Sequence, residues 1–187
     1  MRYWYDTEFI EDGRTIDLIS IGVVAEGGRE FYAQNLECDF GRAGEWVRAN
    51  VLPHLRDFDP ATLSCVFEYN TTPWKTRPQL AAALAAFVGD DTPEWWGSCS
   101  AYDHVALCQL FGRMVDLPAG WPFYTNDIQQ WAQYMGLPRD WDSRIPAIGT
   151  AHSALDDARW TRRAYEYLLD FDARVIGVLS SAGKATA

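Results

Sequence analysis

Three short stretches of this chain put acids where a solvated surface does not call for them: Asp6-Thr7-Glu8, Asp103, and His152 to Asp157. In an extended strand, residues two apart point to one face about 7 Å apart, so Asp6 and Glu8 project side by side. Asp103 opens a helical pattern in which Leu107, Leu110, Phe111 and Met114 form the inward stripe, so an acid begins a buried face. A favourable charge at a helix N-terminus, worth about 0.3 to 1 kcal/mol, accounts for an Asp there but not for its inward direction. In His152-Ser153-Ala154-Leu155-Asp156-Asp157, Ser153 and Asp156 match the spacing of a capping box. That gives Asp156 a structural task. It leaves Asp157 at the fourth helical position, opposite His152 just before the cap, where a hydrophobic staple would otherwise form. Asp157 also shares a row with Thr161, Ala164 and Leu168, beside the packed side of its helix.

Four carboxylates converging in a partly desolvated cleft repel one another, which raises their pKa values or forces the site apart. Neither Lys nor Arg occurs within any of the three motifs. Divalent cations resolve the conflict, and carboxylate ligands without a thiolate select Mg²⁺ or Mn²⁺ over zinc.

The elements that must position these groups read as strands first and helices after. Arg2 to Phe9, Thr15 to Ala25 and Arg29 to Asn35 are predicted strands separated by turn signals at Glu11-Asp12-Gly13-Arg14 and Glu26-Gly27-Gly28. Their short connections predict an antiparallel meander. The second strand is apolar on both faces, with Ile16, Leu18 and Val24 on one and Ile19, Ile21 and Val23 on the other, so it belongs inside a sheet covered on two sides. Helical patterns follow around Trp46 to Leu52, stopping before Pro53. Another has Pro78 in its first turn, Leu80, Leu84, Phe87 and Val88 at helical spacing and Gly89 past its end. Glu94 to Ala101 reads as a fourth strand leading into the helix of Asp103. A further helix has Thr125 as its cap, Ile128, Trp131, Ala132 and Met135 buried, and Gly136 then Pro138 as its stop; the last runs from about Ala154 to Asp170. The expected fold class is α/β: a mixed β-sheet with its first three strands antiparallel and helices on both faces.

At 187 residues the chain fits one domain, expected over residues 1–179, with the small, polar stretch 180–187 as a flexible C-terminal tail. Cys38, Cys65, Cys99 and Cys108 form no C-x-x-C pair and read as reduced, mostly buried thiols. The acidic N-terminus is no secretory signal, and the longest apolar run, Leu80 to Val88, is too short for a bilayer, so a cytoplasmic protein with no membrane partner is expected. A net charge of −10 counts against a large surface that binds duplexes by counterion release. It does not exclude an enzyme that grips a few phosphates through bound cations.

On these residues the chain resembles the DEDDh 3′-to-5′ exonucleases, which include ribonuclease T, oligoribonuclease and proofreading subunits of DNA polymerases. The match lies in Asp6-Thr7-Glu8 on the first strand, Asp103 at a strand-to-helix junction, and His152 with four residues before Asp157. The stretches Tyr5 to Val24 and Ala101 to Leu110 are most similar to small stand-alone 3′-to-5′ exoribonucleases of actinobacteria. The resemblance implies a ribonuclease H-like fold and two Mg²⁺ or Mn²⁺ ions held by Asp6, Glu8, Asp103 and Asp157. Asp6 would bridge both ions, and His152 would be the general base. The implied reaction releases nucleoside 5′-monophosphates from RNA 3′ ends, in single strands or 3′ overhangs, as in RNA processing. Thr7 and Glu8 match the positions that meet the terminal sugar, and Phe9 and Tyr102 flank the acids and would stack terminal bases, worth roughly 1 to 3 kcal/mol each.

Many relatives pair, so the resemblance also admits a homodimer, although no seam is readable in the pattern. The regions that would grip substrate are Trp-rich and acidic and do not align with the better-known relatives, so RNA over DNA rests on resemblance. The competing readings are a proofreading-like DNA 3′ exonuclease and a catalytically silent nucleotide- or RNA-binding module. The latter is disfavoured because all five catalytic positions hold competent residues.

Overall fold

The computed structural model describes residues 1–66 and 73–185, with side chains described through residue 174. The chain opens with β1 (Arg2–Glu11), β2 (Ile16–Ala25) and β3 (Glu30–Asn35), then α1 (Glu45–Asn50) and a small hairpin of β4 (Phe58–Asp59) and β5 (Ser64–Cys65). It continues through β6 (Trp74–Lys75), α2 (Arg77–Val88), β7 (Glu94–Gly97), α3 (Ala101–Phe111), β8 (Asn126–Asp127), α4 (Ile128–Tyr134) and α5 (Ala154–Ala185). Six strands form one sheet in the order β6-β3-β2-β1-β7-β8. The meander β1-β2-β3 is antiparallel as predicted, while β6, β7 and β8 join in parallel.

The central strands are apolar because both of their faces are covered. On one face Tyr3, Tyr5, Ile21, Val23 and Trp95 pack against Leu80, Leu84 and Val88 of α2 and Leu107 and Leu110 of α3. On the other, Trp4 meets Ile128 and Ala132 of α4 and Ala164, Tyr165 and Leu168 of α5. Strand alternation on β1 therefore sends Tyr3, Tyr5 and Thr7 toward α3, and Trp4, Asp6 and Glu8 toward α5. A register shift at Glu8/Phe9 breaks the strict alternation expected of β2. As a result Leu18 joins Ile21 and Val23 in one cluster, while Ile19 crosses to a second cluster with Ile10.

Several predicted boundaries move. The strand expected over Glu94 to Ala101 ends at Gly97, because the chain turns through Cys99 (φ 55°) to start α3 at Ala101. Met114 leaves the helix for a 3₁₀ turn after Gly112. Thr125 is not the cap of α4. Asp127 is, its Oδ1 accepting from the N–H groups of Gln129 and Gln130 at 2.8 and 3.3 Å, while its Oδ2 accepts from Ser100 N–H at 2.7 Å and ties the starts of two helices together. Pro53 sits inside a 3₁₀ turn, Leu52–His54, that follows α1. The start of α2 is as expected, with Pro78 in its first turn and a capping box of Thr76 and Gln79. Of the thiols Cys38 and Cys108 are buried, but Cys65 is half-buried and Cys99 exposed, since β5 is a surface hairpin strand and Cys99 lies on the turn. The last helix continues past Asp170 to Ala185, and the expected tail falls at its end, beyond the described side chains. Among the described residues no helix is long and apolar enough to cross a membrane.

One contact decides where α5 begins. Gly22 pairs with Asp6 across β1 and β2, and a Cβ there would lie 2.3 Å from the Ala154 carbonyl oxygen and 2.4 Å from Leu155 Cα. Only a glycine lets the first turn of α5 press onto the sheet beside the acids. Gly22→Ala is expected to lower stability by roughly 1 to 3 kcal/mol through overpacking. Urea denaturation checks this as a lower midpoint at unchanged slope; an unchanged midpoint would mean that α5 does not rest on Gly22.

Candidate active site

The acids arrive from three elements on separate parts of the chain. Asp6 and Glu8 come from the α5-facing side of β1, Asp103 from the first turn of α3, and Asp157 from the first turn of α5. β7 pairs with β1 only as far as Trp4, so the Thr7 N–H on that side meets no strand. A buried backbone donor needs a partner, and Asp103 supplies it. Its Oδ1 accepts from Thr7 N–H at 2.9 Å and from the Thr7 hydroxyl at 2.6 Å. Both Thr7 donors are thus committed to fixing an acid, a task that the sequence reading did not assign to it.

On the other side, the chain before α5 turns through Gly149 (φ 56°) and His152 (φ 62°). His152 N–H donates to Asp157 Oδ2 at 2.8 Å, so the staple positions meet through a polar bond. The expected capping box with Ser153 is replaced by a longer reach. Asp156 Oδ2 accepts from Thr150 N–H at 3.0 Å, and its Oδ1 pairs with Arg159 at 2.6 Å. Arg159 also binds Glu30 of β3 at 2.6 Å, bracing the loop against the sheet. Asp156 is therefore the structural acid of the adjacent pair, as predicted, by another route.

These constraints bring together one ligand atom each from Glu8, His152 and Asp157 within 4.8 Å of one another. Asp6 and Asp103 are not in that close group; each acts on the other acids through its charge. Burial, then Asp103, Glu8 and Asp157, hold the Asp6 carboxyl well above its usual range. Burial, Asp157 and Asp103 push Glu8 up to about 8. Asp103 rises to about 6, driven by burial and held back by the two Thr7 hydrogen bonds. Burial also raises Asp157, against the lowering effect of the His152 N–H. No lysine or arginine is among the groups that set these four values. The donor set is carboxylate oxygens and one imidazole, and it fits hard divalent cations, whose charge would relieve the repulsion.

Around the acids, Phe9 is half-buried and Tyr102 is 50% exposed, their rings edge-on at 5.9 Å. The sequence reading missed Gly22, whose place inside an apolar strand is itself a sign of close backbone approach. It also missed Trp46 of α1, which is 58% exposed with its ring 4.8 Å from that of His152 at 77°. Nothing in the local pattern marks that contact, because it joins segments a hundred residues apart.

The chain matches, over residues 1–169, the family model described as the 3′-5′ exoribonuclease Rv2179c-like domain. It is 46% identical over 175 residues to the 3′-5′ exoribonuclease Rv2179c of Mycobacterium tuberculosis H37Rv, covering 92% of this chain and 95% of that protein. The same values hold for the 3′-5′ exoribonuclease MT2234.1 of M. tuberculosis CDC 1551. Among solved structures, the zinc-bound complex of Escherichia coli ExoI with single-stranded DNA aligns with a TM-score of 0.59 at 12% identity, over 96% of this chain and 42% of that one. This likeness bears out the expected ribonuclease H-like fold.

The crowded acids give stability a defined pH dependence in the absence of cations. Glu8 sits at about 8 in the fold against about 4.3 in an unfolded chain. Between those values the folded state holds the extra proton, so stability falls as pH rises and the loss is complete above the folded value. In chelator, the melting temperature is expected to be lower at about pH 8 than at about pH 5, and millimolar Mg²⁺ or Mn²⁺ should raise it more at the higher pH. Glu8→Gln should flatten both responses. A melting temperature indifferent to pH and cation would count against the convergence of charge.

Proposed function

This chain belongs to the Rv2179c-like family of 3′-5′ exoribonuclease domains, and from that premise we propose that it releases nucleoside 5′-monophosphates from the 3′ ends of single-stranded RNA or 3′ overhangs. Residues 1–179 would form the exonuclease domain. One observation carries the reading: Glu8, His152 and Asp157 meet within 4.8 Å beside Asp6 and Asp103, in a desolvated site whose charges are set by other carboxylates. Such a site is unfavourable for the fold alone and suits a pair of Mg²⁺ or Mn²⁺ ions held by Asp6, Glu8, Asp103 and Asp157. When bound, the ions would supply the positive charge that makes water nucleophilic near neutral pH and stabilises the departing 3′ oxygen.

The chain's own residues do the rest. The His152 imidazole takes the proton from the attacking water, the general-base task that a positioned histidine side chain performs. Asp157 accepts from the His152 N–H and so fixes the base relative to the acids. The two Thr7 bonds keep the Asp103 carboxylate aimed into the cleft. Glu8 receives the terminal sugar, with the Thr7 donors taken up by Asp103, and the exposed Tyr102 ring with Phe9 offers a surface for terminal bases. The net charge of −10 agrees with a grip confined to a few phosphates at the site.

A 5′-labelled RNA oligomer should yield a ladder shortening from its 3′ end, faster than a matched DNA oligomer, and chelator should abolish it. Asp6→Ala should keep the fold, raise the cation-free melting temperature by removing a repelled charge, and slow hydrolysis on the order of a thousandfold. His152→Ala should slow it by about 10² to 10⁴. Undiminished metal-dependent cleavage by Asp6→Ala would sink the assignment, and a faster DNA ladder would favour the proofreading-like reading.

A further inference from the structure

We propose that Trp46 is a positioning residue that holds the His152 imidazole against the carboxylates. The inference rests on the reading of His152 as general base. His152 lies on a left-handed turn (φ 62°), and its N–H is fixed to Asp157. Those restraints set the backbone but leave the side-chain torsions free, so the ring needs a further contact to hold it. On one side its ring nitrogen lies within 4.8 Å of carboxylate oxygens of Glu8 and Asp157. The neighbouring aromatic wall is Trp46, edge-on at 4.8 Å and 77°, the geometry that aromatic pairs prefer.

Core packing does not explain a Trp at this position. α1 buries none of its residues, and Trp46 is 58% exposed. The segment is anchored by its neighbours Ala43, Val51 and Leu52, which are buried in the cluster with Ile10 and Ile19. Among the described residues, the aromatic contact of Trp46 is with His152. An exposed ring braced on an imidazole also leaves the base open to water and RNA, which a buried packing partner would not.

Single-turnover cleavage of a 5′-labelled RNA under saturating Mg²⁺ separates the maximal rate from the half-saturating concentration. Trp46→Ala should lower the maximal rate about 3- to 10-fold and leave half-saturation unchanged, while Trp46→Phe regains most of the rate. In a His152→Ala background, Trp46→Ala should cause no further loss. The melting temperature of each Trp46 variant should match the parent, since the ring is exposed. Three results would each overturn the inference: wild-type values of both constants for Trp46→Ala, a raised half-saturation at unchanged rate, which would make Trp46 an RNA contact, or a further loss without His152. A wild-type rate for His152→Ala would instead defeat the general-base reading, separately from any result at Trp46.

Discussion

Mutual repulsion among Asp6, Glu8, Asp103 and Asp157 is the constraint to which the rest of this structure answers. Each carboxyl is held above its ordinary range, with burial the first cause and neighbouring acids adding to it for Asp6 and Glu8. Nothing local favours such a gathering, so it persists only where the surrounding fold over-determines it. The means are visible: a central strand packed on both faces, two Thr7 donors on Asp103, a backbone donor on Asp157, and a glycine that admits the start of α5. The Glu30-Arg159-Asp156 bridge keeps the loop of His152 pressed toward the sheet.

This arrangement reconciles an acidic protein with a polyanionic substrate. Several surface arginines are spent on structural pairs, such as Arg42 with Asp12, Arg113 with Asp116 and Arg162 with Glu166. Affinity for RNA would then reside in the proposed ions and in stacking on exposed rings, both confined to the 3′ end. An enzyme built this way has little reason to bind internal duplex, which matches action at free termini.

Much of the fold was legible because its signals are periodic. The meander, the two-sided burial of β2 and the start and stop of α2 follow from alternation, turn residues and caps within a few positions of one another. The errors fall where one tertiary contact overrides a local preference. Asp127 displaced Thr125 as cap because it also had to tie α3 to α4, and Asp156 left the box with Ser153 because Thr150 N–H and Arg159 were better placed. The bulge at Glu8/Phe9 moved Ile19 to another cluster, which no alternation rule anticipates. The short parallel strands β6 and β8 are two residues each and have no periodicity to detect.

The sequence by itself singled out the candidate groups: acids of the right type at strand and helix starts, a histidine at the fixed offset, and no lysine or arginine among them. Residue type and spacing along one element suffice for that, since side-chain direction follows from backbone period. Only the tertiary structure decided how those groups are held. Thr7 became the anchor of Asp103, Gly22 the seat of α5, and Trp46 the neighbour of His152, because distances between remote segments are set by the packing of the whole sheet and its helices, which no local pattern encodes.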